Sequence, residues 1–361
     1  VLTWVGNFEF SEKEMTDDHP SLPPSSEDVA LALRHCWQPV ARLEDLNDGP
    51  KRAVLLDEPL AVFLAENGEA AVVADRCAHR GALLSMGKVC GNSVQCPYHG
   101  WEWAGDGSCT RIPSLADQRQ IPPLARIPSY PVRVQWGLVW TTLEEPQTDV
   151  PDVPWFDPEE WTWGHGTPFE LPVAFGLMIE NFRDVAHFAF VHQDTLGPQP
   201  AEVEPLMPEK NGLEVTLRRN MEWGDGASSA WGPLREMAYH TIAPNFTSAR
   251  MFTDEGERCL LHAARAISAT ESVHYWIEAG LENFDEERLA KVIAYDASIY
   301  AEDVAVISKI QPPELPLDPN AEVDTLADRF TLAYRQAYRE FVNQALAERR
   351  GTENLSRRTL G

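Results

Sequence analysis

The spacing of apolar positions changes along this chain, and the changes mark its parts. From Ala30 to about Glu145, short β-rich runs are separated by turns built on Gly, Asn and Asp. The runs Ala53–Leu56, Ala70–Val73, Ser93–Cys96 and Gly137–Thr142 predict an all-β domain over 30–145. Pro146, Pro151, Pro154 and Pro158 then predict a linker. Beyond Trp161 the texture shifts. Phe175–Val191 has helical spacing, and Gly212–Glu282 is strand-like again, with Val215–Leu217, Cys259–Ala266 and Val273–Ala279 as members of one antiparallel sheet. Glu286–Ile310 and Thr325–Glu348 are helical. The predicted fold class is α+β: an N-terminal all-β domain, then a domain over 146–361 with an antiparallel sheet and surrounding helices. Residues 1–29, acidic and rich in Ser and Pro, are a predicted irregular arm.

Charge removes some functions from consideration. The 361 residues carry a net charge of −26, from 30 basic and 56 acidic side chains. Nucleic acid and anionic membrane both require a basic footprint, so neither is an expected partner. No run approaches the ~20 apolar residues of a membrane span. Val1–Glu14 lacks the basic start and apolar run of a secretion signal. Six cysteines are too sparse for a disulfide scaffold, which leaves thiols, some of them metal ligands. A cytoplasmic location is the expectation.

Two constellations carry chemistry. Cys77-Ala-His79 and Cys96-Pro-Tyr-His99 are mixed pairs, separated by 16 residues and each followed by glycine, Gly81 and Gly100. Structural zinc sites usually keep cysteines in one pair and histidines in another. A two-iron cluster accounts for the mixture: one iron takes both thiolates, the other both imidazoles. Exchanging two thiolates for neutral imidazoles raises the potential to roughly −150 to +300 mV, against about −400 mV for all-Cys clusters. Cys36, Cys90, Cys109 and Cys259 have no partners at ligand spacing and are expected as buried free thiols.

The second constellation is Asn181-x-x-Asp184-x-x-His187-x4-His192. Asn181, Asp184 and His187 would share one face of a continuous helix. His192 lies five residues past His187, about 140° around such a helix, so the helix must distort or end for both to bind one metal. Two histidines and a carboxylate form the facial triad of O2-using Fe(II) enzymes. Asp303 is the preferred carboxylate, on the inner face of a late helix where it needs a partner. Asp296 and Glu302 are its rivals, and Glu302 is expected to face solvent.

Together these motifs resemble the oxygenase (alpha) subunits of Rieske non-haem iron oxygenases, over about Cys36 to Glu340. Glu302-Asp303, then Gln311-Pro312 and Tyr334-Arg335, look like the close of the single-component branch that includes vanillate and dicamba O-demethylases; Lys309 departs from it. The resemblance implies a Rieske [2Fe–2S] cluster on Cys77, His79, Cys96 and His99, and Fe(II) on His187, His192 and Asp303. It implies a homotrimer in which Asp184 bridges His99 of one subunit and His187 of the next, with Asn181 near the iron. It also implies O2 as co-substrate and NAD(P)H electrons arriving through a flavin reductase with a ferredoxin centre, or a separate ferredoxin.

The expected reaction is hydroxylation or oxidative demethylation of a small aromatic or cyclic substrate, with cis-dihydroxylation as the alternative. A Rieske electron-transfer protein and a zinc-binding structural protein are the readings from other classes. Phe175, Leu177, Phe188, Tyr239, His240, Asn245 and Tyr300 are candidate pocket residues, and Arg235 and Arg250 candidate carboxylate clamps. His262 and His274 are expected to be structural.

Overall fold

The computed structural model describes residues 23–220 and 234–359. The first element, α1 (Ser26–Leu33), begins in a capping box: the Ser25 side chain accepts from Asp28 N–H while the Asp28 side chain accepts from Ser25 N–H. It packs on the last helix, α5 (Arg329–Thr359). The expected boundary at residue 29 therefore falls inside a helix. Residues 1–22 of the expected arm lie outside the described residues.

Eleven short strands follow. They are β1 (Gln38–Arg42), β2 (Lys51–Leu55), β3 (Glu58–Leu64), β4 (Ala70–Ala74), β5 (Lys88–Cys90), β6 (Ser93–Gln95), β7 (Glu102–Ala104), β8 (Cys109–Arg111), β9 (Ser129–Tyr130), β10 (Val132–Gln135) and β11 (Leu138–Thr141). They form three antiparallel sheets, ordered β1-β11-β10, β2-β3-β4-β9 and β5-β6-β7-β8. Four predicted runs coincide with β2, β4, β6 and β11 within a residue or two.

The second half is built on β12 (Thr162–His165), β13 (Phe169–Leu171), β14 (Glu209–Asn211), β15 (Glu214–Asn220), β16 (Leu234–Ile242), β17 (Phe246–Thr253), β18 (Gly256–Ser268) and β19 (Glu271–Gly280). Their antiparallel order is β12-β19-β18-β17-β16-β15-β14, with β13 also on β19. The three strands expected in one sheet are β15, β18 and β19. Helices α2 (Phe175–Asn181), α3 (Phe188–Val191), α4 (Glu286–Ile307) and α5 complete the α+β fold. No described helix is long and apolar enough to cross a membrane.

The two halves share a core. Trp37, Trp136 and Trp140 from the first pack with Phe246, Leu261 and Tyr275 from the second. Leu56 N–H and Asp57 N–H donate to the carbonyls of Ala266 (3.0 Å) and Ile267 (2.8 Å) on β18. The proline-rich segment expected as a linker has no regular structure, but it is packed: Val153 and Phe156 are buried in that same cluster. Its prolines lack N–H donors and so remove it from the sheets, while its apolar side chains are still worth burying.

Candidate metal centres and substrate cavity

The two Cys/His loops are built alike. Gly81 N–H donates to Cys77 C=O (2.8 Å) and Gly100 N–H to Cys96 C=O (3.1 Å). Cys77 N–H and Cys96 N–H reach on to the carbonyls of Ala82 (2.9 Å) and Trp101 (2.8 Å). Both closing residues have φ near +70° (Gly81 +74°, Gly100 +70°), where a Cβ would be strained. The loops thus present equivalent cysteines, both buried over Val94, Trp103 and Phe63. The imidazoles lie on the outer side: His99 is exposed and His79 half-buried, with ring centroids 4.6 Å apart, and Trp101 stacks on His79.

This arrangement separates a two-iron cluster from a single ion. Among the described residues, no three of these four side chains bring ligand atoms within 4.8 Å of one another. A tetrahedral zinc site would require that convergence. Here the thiols adjoin each other beneath and the imidazoles adjoin each other above. Burial, then the neighbouring Cys96, pushes the Cys77 thiol up, so two adjacent thiolates need a cationic group between them. His79 Nδ1 is buried without a hydrogen-bond partner among the described residues, as a metal-ligating nitrogen would be, and the Trp103 side chain hydrogen-bonds Cys77. The residues fit a [2Fe–2S] group. Of the other cysteines, Cys36 and Cys259 are buried as expected, whereas Cys90 and Cys109, on the narrow sheet β5-β6-β7-β8, are half-buried; none is in a disulfide.

The second constellation folds differently from a continuous helix. Helix α2 ends at Asn181, the chain turns through 182–187, and the single turn of α3 follows. Asn181, Asp184 and His187 therefore do not share a regular helical face. His187 and His192 cap the two ends of α3, and this break lets both rings converge. His187 Nε2 and His192 Nε2 lie 3.1 Å apart, and Asp303 Oδ1 lies 3.5 and 3.1 Å from them. These are the only three such groups among the described residues that converge. Asp303 Oδ1, on a 4% exposed residue, makes no hydrogen bond, the situation a bound cation relieves. The donor set is neutral imidazole and carboxylate on one side, which suits Fe(II) with positions left open.

Helix α4 supplies the carboxylate. Leu289, Val292, Asp296, Tyr300, Asp303 and Ile307 form its buried stripe. Asp296 is excluded as a ligand because its carboxylate is engaged elsewhere. It lies 3.8 Å from Arg258 Nη2, which also reaches Glu278 Oε2 at 3.3 Å. Burial, then Asp296, pushes Glu278 well above the usual carboxyl range.

Glu302 corrects the sequence reading. It does not face solvent freely: its Oε2 sits 2.7 Å from His192 Nδ1 and accepts from Thr195 Oγ1 at 2.6 Å. One helix thus provides adjacent carboxylates to opposite nitrogens of one imidazole system. Desolvation opposes protonation of His192, but Asp303 and Glu302 outweigh it and raise its pKa. On the other histidine, Asp184 Oδ2 lies 3.5 Å from His187 Nδ1, and Asp184 Oδ1 accepts from Ala186 N–H at 2.9 Å. Burial disfavours the Asp184 carboxylate, yet His187 and these N–H groups lower its pKa. The Asp184 side chain remains 38% exposed.

His187, His192 and Asp303 open into a cavity that is partly open to solvent. Phe188, Tyr239 and Tyr300 of the candidate pocket residues line it, and Asn181 does too. Phe182, Met237, Met251, Leu260 and Ile299 also line it and went unforeseen. The alternation of Met237 with Tyr239, and of Ala249 with Met251, was the available signal. Phe175 lines a different cavity, and Leu177 packs in the core. Asn245 ties Trp37 C=O to Ala264 C=O (3.0 and 2.9 Å), and His240 contacts Glu214. Arg235 and Arg250 pair with Asp254 and Glu257, outside the cavity.

Behind Tyr300 runs a buried chain. Tyr300 Oη lies 3.2 Å from His262 Nδ1, His262 Nε2 is 2.9 Å from His274 Nδ1, and His274 Nε2 is 2.9 Å from Ser272 Oγ. Ser272 Oγ donates to Val173 C=O at 2.8 Å. Burial lowers both histidines, His274 to about 3, so they are neutral. A carbonyl only accepts, so each proton is fixed in turn: His274 Nε2–H donates to Ser272, His262 Nε2–H to His274, and Tyr300 O–H to His262.

Comparison with known proteins agrees with this geometry. Residues 36–131 match the Rieske [2Fe-2S] domain and residues 172–344 the vanillate O-demethylase oxygenase C-terminal domain. Methylxanthine N1-demethylase NdmA of Pseudomonas putida is 31% identical over 85% of this chain and 89% of its own. The toluene-4-sulfonate monooxygenase system iron-sulfur subunit TsaM1 of Comamonas testosteroni is 34% identical over 81% and 93%. The structure of NdmA with caffeine superposes with a TM-score of 0.77 at 26% identity, over 87% of this chain and 96% of that one. Dicamba monooxygenase bound to dicamba, at 20% identity, shares the fold with a TM-score of 0.74, over 87% and 99%. Oxygenase components of this kind carry a Rieske [2Fe–2S] cluster and a mononuclear iron, and use O2 with NAD(P)H electrons delivered by a reductase or ferredoxin. Both donor sets are present, each in the domain where that architecture requires it, and the chain belongs to the Rieske non-haem iron oxygenases as an oxygenase (alpha) subunit.

Proposed function

We propose that this chain oxidises a small cyclic substrate by monooxygenation, as a demethylase or hydroxylase. The observation that carries the proposal is a two-histidine, one-carboxylate group opening into a cavity walled by Phe182, Phe188, Met237 and Met251, an apolar lining that suits a small cyclic molecule. Relatives named as an N1-demethylase and a sulfonate monooxygenase support it.

In this reading residues 30–145 form the electron-receiving domain and 146–361 the catalytic one. Cys77 and Cys96 hold one iron of the cluster, and His79 and His99 the other. His187, His192 and Asp303 hold the mononuclear iron, which supplies reductive activation of O2 when bound. Glu302 and Thr195 orient His192, while Asp184 orients His187. Phe182, Phe188, Met237 and Met251 exclude water and place the substrate over the iron face. Asn181 stands at the cavity wall without an assigned ligand role.

We further propose a homotrimer in which the half-buried His79 and exposed His99 of one subunit approach Asp184 of the next. Support comes from the outward imidazoles, from Tyr98 beside His99 at 67% exposure, from the solvent-open Asp184 carboxylate and from an exposed Phe190 on α3. The electron donor is a flavin reductase with a ferredoxin centre, or a separate ferredoxin.

Iron, acid-labile sulfide and the EPR spectrum of the reduced, anaerobically purified protein test the reading. About three irons and two sulfides per chain, with the low average g value of a His-ligated cluster, are expected. Two irons with no third would leave an electron-transfer protein; zinc without sulfide would overturn both centres.

A further inference from the structure

The cavity wall opposite α4 is made by β16 and β17, where Tyr239 pairs with Ala249 and Met237 with Met251. Three of these side chains are apolar. Tyr239 brings a hydroxyl that is buried and has no partner among the described residues. Its ring is held edge-on by Phe330, with centroids 5.5 Å apart. A buried hydroxyl without a partner is rare, and at a cavity wall a ligand is the natural partner.

Two tyrosines line this cavity, and their polarity differs. The proton of Tyr300 is committed to His262 by the chain that ends at Val173 C=O, so Tyr300 cannot donate to a ligand. The proton of Tyr239 is uncommitted. Burial pushes Tyr239 up to about 12, so it keeps that proton at neutral pH.

The surroundings of Tyr239 also favour an acceptor. Arg219 and Arg183 both act electrostatically on its hydroxyl. Arg219 Nη1 and Arg183 Nε and Nη1 are buried donors without hydrogen-bond partners among the described residues. Arg183 is wholly buried, donates through Nη2 to Thr241, and lies over the Tyr334 ring. Glu180, a carboxylate that acts electrostatically on Arg183, is held by Arg335 at 2.5 and 3.1 Å. In a chain of net charge −26, the Tyr239 hydroxyl is thus backed by two cationic side chains that stand behind the cavity lining and not in it.

We propose that Tyr239 is a specificity-determining hydrogen-bond donor. It binds an acceptor oxygen of the substrate, a carboxylate, sulfonate or carbonyl oxygen, with the charged forms favoured by Arg219 and Arg183. The bond fixes which carbon of the ring meets the iron, because Tyr239 and the His187–His192–Asp303 group belong to one cavity. The inference deepens the reading of that cavity as the substrate site.

The test is calorimetric titration of the holoenzyme with three probes of one ring size: 3-methoxybenzoate, 3-methoxyacetophenone and anisole. Wild type is expected to bind them in that order of decreasing affinity. Tyr239→Phe, which keeps the ring and its packing, is expected to lose tenfold or more for the benzoate, less for the ketone, and under twofold for anisole. Arg219→Gln is expected to reduce the benzoate's advantage over the ketone. An unchanged cluster spectrum shows that each variant is folded. Equal losses on all three probes, no loss on any, or a wild type that binds anisole best would overturn the proposal. Binding is read without turnover, so its outcome stands apart from the oxygenase reading, which fails if wild type with a surrogate reductase shows no substrate-dependent oxidation.

Discussion

The two metal centres of this chain are built in opposite ways. The Cys/His centre draws its four ligands from 23 consecutive positions, Cys77 to His99, on two loops, one leaving β4 and one joining β6 to β7. Its imidazoles lie on the outer side, His99 exposed and His79 half-buried. The second centre joins His187 and His192 to a carboxylate more than a hundred positions later, and its ligands are largely enclosed. An electron-receiving site needs a surface, whereas a site that activates O2 gains from a dry wall and a fixed geometry. The first is specified by loop chemistry. The second depends on where a helix lies against a sheet.

Breaking one centre should leave the other standing. His187→Ala is expected to abolish product formation, by more than a hundredfold, and to lose the mononuclear iron while the visible cluster spectrum persists. Loss of that spectrum in a metal analysis would show that the two sets of ligands are not independent. The link between the centres comes next in effect. Asp184→Ala is expected to keep cluster and iron, keep the cluster reducible, and largely stop turnover; near-normal rates in a steady-state assay would sink its bridging role.

Glu302→Gln sharpens the contrast further, because the loop centre has no carboxylate pressed on a ligand. Removing the charge behind His192 is expected to cost 10- to 100-fold in iron affinity or activity. Competition with a chelator measures it, and an unchanged affinity would return Glu302 to the surface role that its position in the sequence suggested. The smallest effect concerns the buried wire. His262 and His274 are depressed in the folded protein, and the unfolded chain binds their protons below about pH 6.5. Their contribution to stability is therefore present above that value and falls as pH drops through it. Each is expected to withdraw up to about 1.4 kcal/mol per pH unit over that range. The decline in Tm from pH 7 to pH 5 should accordingly be shallower in His274→Asn than in wild type, and parallel curves would refute the neutral assignment.

Much of this was legible before folding. Mixed Cys/His pairs with glycines after them predicted two equivalent loops, and Gly81 and Gly100 close them at positive φ. The stripe that runs through Asp296, Asp303 and Ile307 placed two acids on the inner face of α4. Periodicity could not rank those acids. Asp296 was removed by Arg258 and Glu278, which come from two other strands, and Glu302 was recruited by His192, 110 positions away. The helix break expected between His187 and His192 comes earlier, after Asn181: apolar spacing persists through 182–187, but Asp184 turns back to bond Ala186 N–H and the helix stops.

By itself the sequence determined the class of chemistry, since ligand types, their pairing and their turn residues are local properties that short-range sterics and coordination preferences dictate. It determined the strands and long helices for the same reason, through the period of apolar residues. The tertiary structure alone decided which carboxylate meets the two histidines, which tyrosine hydroxyl has no partner among the described residues, and which apolar residues wall the cavity. Those outcomes depend on strand register and on the packing of α4 against the sheet, where contacts between distant residues compete, and no spacing along the chain encodes the winner.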